Sequence, residues 1–420
     1  MSRNFDYEAL YQEQEKKLPV FIQRLYQNSA FYRQKLKTAG INPEDIRTVS
    51  DLARVPFTDK HELREAYPLG LAAVPEEKIV RIHSSSGTTG KPVIIPYTAG
   101  DIEIWAEIMA RCLKMAGVTM RDRVQITPGY GLWTAGIGFQ AGVERLGAMA
   151  IPTGPGNTEK QLELMEDLKT TVLIATASYG LLLAEEIGRR GLRPKLNLRL
   201  GILGSERWGE KMRQRIEQLL GIETFDIYGL TEIYGPGIGI DCPAHEGIHM
   251  WTDHLLLEII DPATGKQLPP GKEGELVITT LTKEGAPLLR YRTHDLTSLK
   301  LEACSCGSPY PLINRILGRT DDMIKIKGVN IYPAQFDHIL QLVPGASSEY
   351  QVILRRYQGR DEMEIKIEFE PGADPEAVAA RCRQYIKNKI GITVQVTPVP
   401  QGTLPRSEKK TRRLFDYRDE

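Results

Sequence analysis

Cysteine is scarce, with five in 420 residues. That is too few for a disulfide framework and points to a reducing, cytoplasmic setting. Net charge is also missing, because Lys+Arg and Asp+Glu both number 54. The balance removes any overall pull toward nucleic acid or an anionic membrane, so neither is expected as a partner. No apolar run approaches the roughly 18 residues of a membrane-spanning helix. The polar opening MSRNFDYEALYQEQEKKL argues against a secretory signal. Internal repeats and low-complexity tracts are absent too. What is present, 41% hydrophobic and 26% charged residues, describes a soluble globular chain long enough for two or three domains.

Residues up to about 80 read as helices and loops, with helical apolar spacing over Val20 to Leu36 and Pro43 near a helix start. From there to about 240, helical stretches (Asp101–Met115, Thr158–Asp167, Gly209–Leu220) separate short apolar runs at Val124–Ile126, Ala148–Ile151, Val172–Ala175 and Leu200–Leu203. That alternation predicts βαβ units and a mainly parallel buried sheet. After Gly247, runs such as Leu255–Ile260 and Glu275–Leu281, parted by proline and glycine turns, predict an antiparallel β subdomain. From Met323 the order βαββαβ predicts a small ferredoxin-like α+β unit. The fold class is therefore α/β: a large N-terminal domain of parallel sheets flanked by helices plus a β subdomain, residues 1–319, and a small C-terminal α+β domain, residues 320–420.

Five motifs carry candidate chemistry. Ser84-Ser85-Ser86-Gly87-Thr88-Thr89-Gly90-Lys91 combines hydroxyls, glycines and a cation, the groups that wrap a polyphosphate. It is not a Walker A loop, and taken alone such a run is more often a polar surface loop. Tyr228-Gly229-Leu230-Thr231-Glu232 follows the apolar Phe225-Asp226-Ile227, at the strand end where α/β sheets hold ligands. There an aromatic can stack on a base and a glutamate can hold Mg²⁺. Arg290-Tyr291-Arg292-Thr293-His294-Asp295 offers a carboxylate for a ribose diol. The fourth motif is the seam Gly318-Arg319-Thr320-Asp321-Asp322. The fifth is the basic tail Leu404-Pro405-Arg406-Ser407-Glu408-Lys409-Lys410-Thr411.

In order and spacing these motifs resemble the adenylate-forming superfamily, and most specifically the phenylacetate–CoA ligase family. The resemblance spans the segments IHSSSGTTGKPVIIPYT, FDIYGLTEIYGPG, GKEGELVITTLTKEGAPLLRYRTHDL and GRTDDMIKIKGVNIYPAQ. It implies a ligase that makes acyl-AMP and pyrophosphate from an aryl acid and Mg·ATP, then passes the acyl group to CoA. Ser84 to Lys91 would then hold the β- and γ-phosphates, Thr231 the α-phosphate, and Glu232 Mg²⁺. Tyr228, with Asp226, Ile227 and Gly229, would face adenine. Gly204-Ser205-Glu206-Arg207 would be the adenine-side wall, with arginine where relatives carry proline. Asp295 would bind the ribose, with Arg319 nearby. Lys410 would bridge acyl carboxylate and α-phosphate; the adjacent Lys409 competes for that assignment. Asp321 would be the hinge of a rotating C-terminal domain, bringing Lys327 and Gly328 to the CoA channel.

Tyr130, Gly131, Trp133 and Gly136, with Gly235 and Pro236, resemble the lining of the aryl pocket, where small residues between aromatics suit a flat ring. A carrier-protein thiol in place of CoA, and a homodimer, both stay open. Cys304-Ser305-Cys306 together with Cys242 and a histidine offers a tetrahedral zinc set, with scattered buried thiols as the alternative; the resemblance implies that such a zinc would be structural. His249, which opens a strand, is preferred over His245 in a loop. Cys112 and Cys382 fall on helical patterns and read as core.

Overall fold

The computed structural model describes residues 7–85, 91–326, 329–357, 360–408 and 410–418. The chain gathers into two compact units. One comprises Met1–Pro155, Thr170–Ile174 and Phe225–Ile316; the other comprises Gly156–Lys169, Ala175–Thr224 and Leu317–Glu420. Among the described residues no helix is long and apolar enough to cross a membrane.

The first unit opens with the helices Tyr7–Asn28 and Ala30–Thr38. The apolar spacing over 20–36 is thus split at Ser29, whose hydroxyl accepts the Tyr32 backbone N–H at 3.3 Å and caps the second helix. Strand Arg123–Ile126 pairs in parallel with Met149–Ile151 on one side and Val172–Thr176 on the other, as the alternating pattern predicts. The helices Ala99–Met115 and Thr134–Leu146 lie in close contact. A Cβ on Gly138 would fall 2.3 Å from Trp105, and one on Gly142 would fall 2.2 Å from Met109.

Beyond residue 223 the pairing turns antiparallel, through Glu223–Leu230, Gly235–Asp241, Ile248–Met250, Leu312–Ile313 and Leu299–Lys300. The links from Leu230 to Gly235 and from Asp241 to Ile248 are too short for the crossover that parallel strands require, so the unit is mixed α/β. Leu255–Ile260, Gly274–Thr280 and Tyr291–Thr297 form the expected antiparallel β layer. Its residues Leu256, Leu281 and Leu289 share a core with Leu18, Phe21 and Ile22 of the first helix.

In the second unit, strand Leu200–Gly204 is buried along its whole length, and Thr158–Asp167, Ala177–Arg189 and Glu210–Leu220 are helices. The C-terminal part is α+β. Its four-stranded sheet runs Gln395–Pro400, Arg360–Phe369, Ala346–Tyr357, Leu414–Tyr417. Helices Ala334–Leu342 and Pro375–Ile390 supply Phe336, Ile339, Cys382 and Ile386 to its core. One strand differs from the βαββαβ reading. Ile324–Ile326 pairs with Val329–Ile331 as a separate antiparallel ribbon, and the edge beside Ala346–Tyr357 is taken in parallel by Leu414–Tyr417. Pairing with the immediately following strand closes the shortest loop, which is the cheaper contact entropically.

Arg290 anchors the β layer from inside. Its guanidinium donates to Glu258 at 2.8 and 3.1 Å and to the Val55 carbonyl at 2.6 Å, with Glu258 only 3% exposed. Removing one partner leaves a buried charge without compensation. Glu258→Ala should lower unfolding free energy by about 3–5 kcal/mol, read from urea titrations of both proteins; a loss under about 1 kcal/mol would contradict the pairing.

Candidate active site and metal centre

The strand Glu223–Leu230 carries Asp226, Ile227, Tyr228 and Gly229 to a tight return, Thr231–Tyr234, before Gly235–Asp241 runs back. The Tyr-Gly-Leu part of the motif is therefore strand rather than loop. Gly229 is obligatory, since a Cβ there would lie 2.1 Å from the Gly235 carbonyl oxygen. Tyr228 donates its hydroxyl to Asp295 Oδ2 at 2.6 Å, and both side chains are buried. The expected base-stacking and ribose-binding residues are thus joined directly, and the ring is held by the carboxylate beside it. Asp295 also has its backbone N–H on Thr293 Oγ1 at 3.0 Å.

Glu232 is 4% exposed. Its Oε1 forms an ion pair with Lys60 Nζ at 2.9 Å but makes no well-angled hydrogen bond among the described residues. A buried carboxylate with lone pairs to spare fits a hard, oxygen-seeking cation. Lys60 escaped the sequence reading. It opens the helix Lys60–Glu65, capped by Asp59 through the N–H groups of His61 and Glu62. Nothing in the local sequence signals its approach to a glutamate far along the chain.

Lys283 was missed as well. It is fully buried, with Nζ 4.2 Å from the Tyr97 ring centroid and 4.8 Å from that of Tyr234, and this ammonium makes no hydrogen bond among the described residues. Burial pushes its pKa down to about 7 from the ordinary 10.5, against the opposing charges of Asp101 and Glu232. His83 belongs to the same buried cluster, edge-on to Tyr97 and Trp105 at 5.3 and 5.4 Å. Burial pushes its pKa down too.

The expected acyl-pocket residues also converge within the first unit. A Cβ on Gly136 would lie 2.6 Å from the Tyr130 ring, and one on Gly235 would lie 2.6 Å from Thr134 and 2.9 Å from Trp105. The Pro236 carbonyl accepts the Trp105 indole N–H at 3.1 Å. Gly131 sits at φ +87°. Trp133 caps the helix Thr134–Leu146 and stays 46% exposed, with its indole over Gly129. Trp105 was not singled out from sequence.

Of the hydroxyl-rich loop, Ser84 and Ser85 are described, and Ser86, Gly87, Thr88, Thr89 and Gly90 lie outside the described residues. The loop springs from a ribbon in which Arg81–Ser84 pairs with Ile94–Tyr97. Ser85 Oγ accepts the Val93 N–H at 2.9 Å, closing its base. Lys91 is exposed, with Nζ 5.3 Å from the Tyr67 ring centroid.

In the second unit, Gly204 ends a buried strand and Ser205 turns at φ +66°. Glu206 accepts the backbone N–H groups of Ser178 at 2.7 Å and Thr411 at 3.1 Å. Burial raises its pKa and these hydrogen bonds oppose the rise. Arg207 pairs with Asp337, which also accepts the Tyr350 hydroxyl at 2.9 Å. Arg319 forks onto Asp321 with two contacts of 2.8 Å. Lys410 is exposed, and its carbonyl accepts the Ser407 hydroxyl at 3.2 Å. Lys409, Lys327 and Gly328 lie outside the described residues.

Cys242, His249, Cys304 and Cys306 bring their ligand atoms within 4.8 Å of one another. The Cys242 and Cys304 sulfurs are 3.6 Å apart, and Cys306 Sγ is 3.2 Å from His249 Nε2. Burial lowers the His249 pKa, and the ring donates Nδ1–H to the Tyr310 carbonyl at 2.8 Å, which turns Nε2 toward the thiols. His245 is instead engaged by Asp241 at 2.7 Å. Cys112 and Cys382 are buried in core positions, as expected.

Residues 16–282 match the AMP-binding enzyme family, and residues 328–418 match the AMP-binding enzyme C-terminal domain. The phenylacetate–CoA ligase of Thermus thermophilus is 44% identical over 96% of the chain and 96% of the relative. That of Escherichia coli is 41% identical over 97% and 94%. Among solved structures, 2-hydroxyisobutyryl-CoA ligase in the postadenylation state superposes with a TM-score of 0.89 at 26% identity, covering 98% of this chain and 90% of that one. The same protein in the thioesterification state, with CoA, gives 0.73 at 27% identity, covering 98% and 91%.

The depressed Lys283 pKa has a consequence for stability. Between about 7 and the ordinary 10.5 the unfolded chain holds a proton that the folded chain has released, so stability rises with pH across that window. The contribution of this group is at most about 1.4 kcal/mol per pH unit. Urea titrations at pH 7 and pH 9 should show a rise in the wild-type protein that Lys283→Met lacks; equal slopes would mean that the amine is not buried as described.

Proposed function

The chain belongs to the phenylacetate–CoA ligase family of AMP-binding enzymes, and from that premise we propose that it is an ATP-dependent aryl acid–CoA ligase acting on phenylacetate. The observation that carries this reading is identity of 41% and 44% to phenylacetate–CoA ligases along nearly the whole length. The site geometry supports it. Tyr228 and Asp295 form a rigid pair suited to a nucleoside, adenine against the ring and ribose hydroxyls on the carboxylate. Thr231, in the same turn, faces the α-phosphate, with Ser84 to Lys91 on the outer phosphates. The family pattern assigns Gly204 to Arg207 to the adenine side. Glu232 would hold Mg²⁺, which neutralises charge on the phosphate oxygens when bound.

The chemistry asks for no protein nucleophile. The aryl carboxylate oxygen forms a bond to the α-phosphorus while the bond to the β-phosphate oxygen breaks, releasing pyrophosphate. Lys410 offsets charge between carboxylate and α-phosphate in that step. The CoA sulfur then bonds to the acyl carbon, AMP leaves with its oxygen, and the thiol proton passes to solvent. Glycines at 136 and 235 let Tyr130, Thr134 and Trp105 pack directly against the backbone, and small residues between aromatics suit a flat ring. The domain division at 319/320, rotation about Asp321, and presentation of Lys327 and Gly328 to CoA complete the reading. A cytoplasmic setting suits both ATP and CoA.

The test is a pair of half-reactions. AMP release should be faster with phenylacetate and other aryl acids than with long aliphatic ones. Lys410→Ala should lose acyl-AMP formation by at least about 100-fold while still making thioester from supplied acyl-AMP. A preference for aliphatic acids would remove the aryl pocket, and equal loss in both halves would remove Lys410 from its role.

The Cys242, His249, Cys304 and Cys306 set fits a closed tetrahedral Zn²⁺ site of structural kind, since four soft donors leave no open position. Protein purified without added metal should carry about one zinc per chain by elemental analysis. Cys304→Ser should lower that occupancy and the thermal midpoint together. A zinc content near zero would sink the assignment.

A further inference from the structure

Lys410 sits on an irregular segment, so something other than a helix or strand must hold its backbone. The structure shows three ties, all to residues far away in the chain. Arg406 is gripped by two carboxylates at once. It donates to Glu185, on the helix Ala177–Arg189, at 2.9 and 3.1 Å. It donates to the fully buried Glu368 at 3.0 and 2.9 Å. Glu408 accepts the Thr158 hydroxyl at 3.1 Å. Thr411, the residue after Lys410, gives its backbone N–H to Glu206 at 3.1 Å.

Glu206 is the informative member. Its other oxygen takes the Ser178 N–H at 2.7 Å, in the first turn of the helix Ala177–Arg189. One carboxylate therefore ties the start of that helix to the peptide bond between Lys410 and Thr411. Glu185, on the same helix, ties Arg406 on the other side of the lysine. A wall residue for adenine needs no such bond to the tail.

We propose that Glu206 and Glu185 are positioning residues for Lys410, clamping the lysine segment on both sides in the arrangement used for adenylation. The role of Lys410 comes from the ligase reading, and the clamp extends that reading to two carboxylates on a different part of the chain. Charge-assisted hydrogen bonds of this kind are the strong ones. They act only while the tail is docked, so they favour the first half-reaction and add nothing to the second. Loss of a clamp lowers the fraction of competent molecules, and the observed rate falls with it.

The test uses the full chain with Glu206→Gln and Glu185→Gln, each measured in both half-reactions. Both variants should lose at least about tenfold in the turnover of acyl-AMP formation at saturating Mg·ATP. In Glu185→Gln, which lies outside the nucleotide wall, thioester formation from supplied acyl-AMP and CoA should stay within about twofold of wild type. Glu185→Asp, which restores a carboxylate, should recover part of the loss. Equal losses in both halves of Glu206→Gln, with a raised KM for acyl-AMP, would confine Glu206 to the adenine wall and overturn the clamp. Unchanged adenylation in Glu185→Gln would overturn it too. Hydrogen exchange of the segment 404–414 in ligand-free protein reads the clamp without any activity: exchange should quicken in both variants. Unaltered exchange rejects the clamp, whereas quickened exchange in a protein that adenylates no acid keeps the clamp and rejects the ligase reading.

Discussion

The first unit's site depends on how closely two backbones can approach at one turn. Gly229 and Gly235 face each other where the strand Glu223–Leu230 gives way to Gly235–Asp241, and a Cβ on Gly229 would sit 2.1 Å from the opposing carbonyl oxygen. That contact lets a four-residue return carry Thr231 and Glu232 while keeping Tyr228 on the ladder. It also brings Gly235 against Thr134 and Trp105 at the start of the helix packing. Nucleotide side and acyl side are thus joined through a handful of residues. A side chain at either glycine would separate them.

Around that turn, charge is placed with little help from solvent. The chain as a whole is neutral, yet Lys60 and Lys283 are both brought to the neighbourhood of the buried Glu232. Lys60 pairs with the carboxylate; Lys283 is stacked between aromatic faces and has its pKa driven down by burial. A buried amine between ring faces is costly to keep charged. The electrostatics of the site are therefore set by local burial rather than by overall composition.

Much of the architecture was legible because its signals are local. Pro375–Ile390 is bracketed by Asp374 as N-cap and Gly391 in the left-handed conformation, and both residues announce themselves in the sequence. Thr158–Asp167 and Ala334–Leu342 likewise follow from periodicity. His249 was separable from His245 because it falls in a strand pattern, whereas His245 sits in a loop. Legibility failed where two segments meet only in space. The pairs Lys60 with Glu232, Arg406 with Glu185 and Arg207 with Asp337 join residues more than a hundred positions apart. No periodicity or spacing encodes them. The edge strand Leu414–Tyr417 was missed for the same reason, since its partner Ala346–Tyr357 lies far upstream.

The sequence by itself determined the element types, the motif order and hence the family, because helix caps, glycine turns and phosphate-loop chemistry are written in consecutive residues. Only the tertiary structure decided which side chains share a charge, a ring face or a metal-sized space. It placed the Glu206 carboxylate on the Thr411 backbone N–H, and it gave Glu232 an ammonium partner. The reason is physical: local propensity is a property of neighbours in the chain. Ion pairing, burial and pKa depend on distances below about 4 Å, and those distances exist only once the chain has folded.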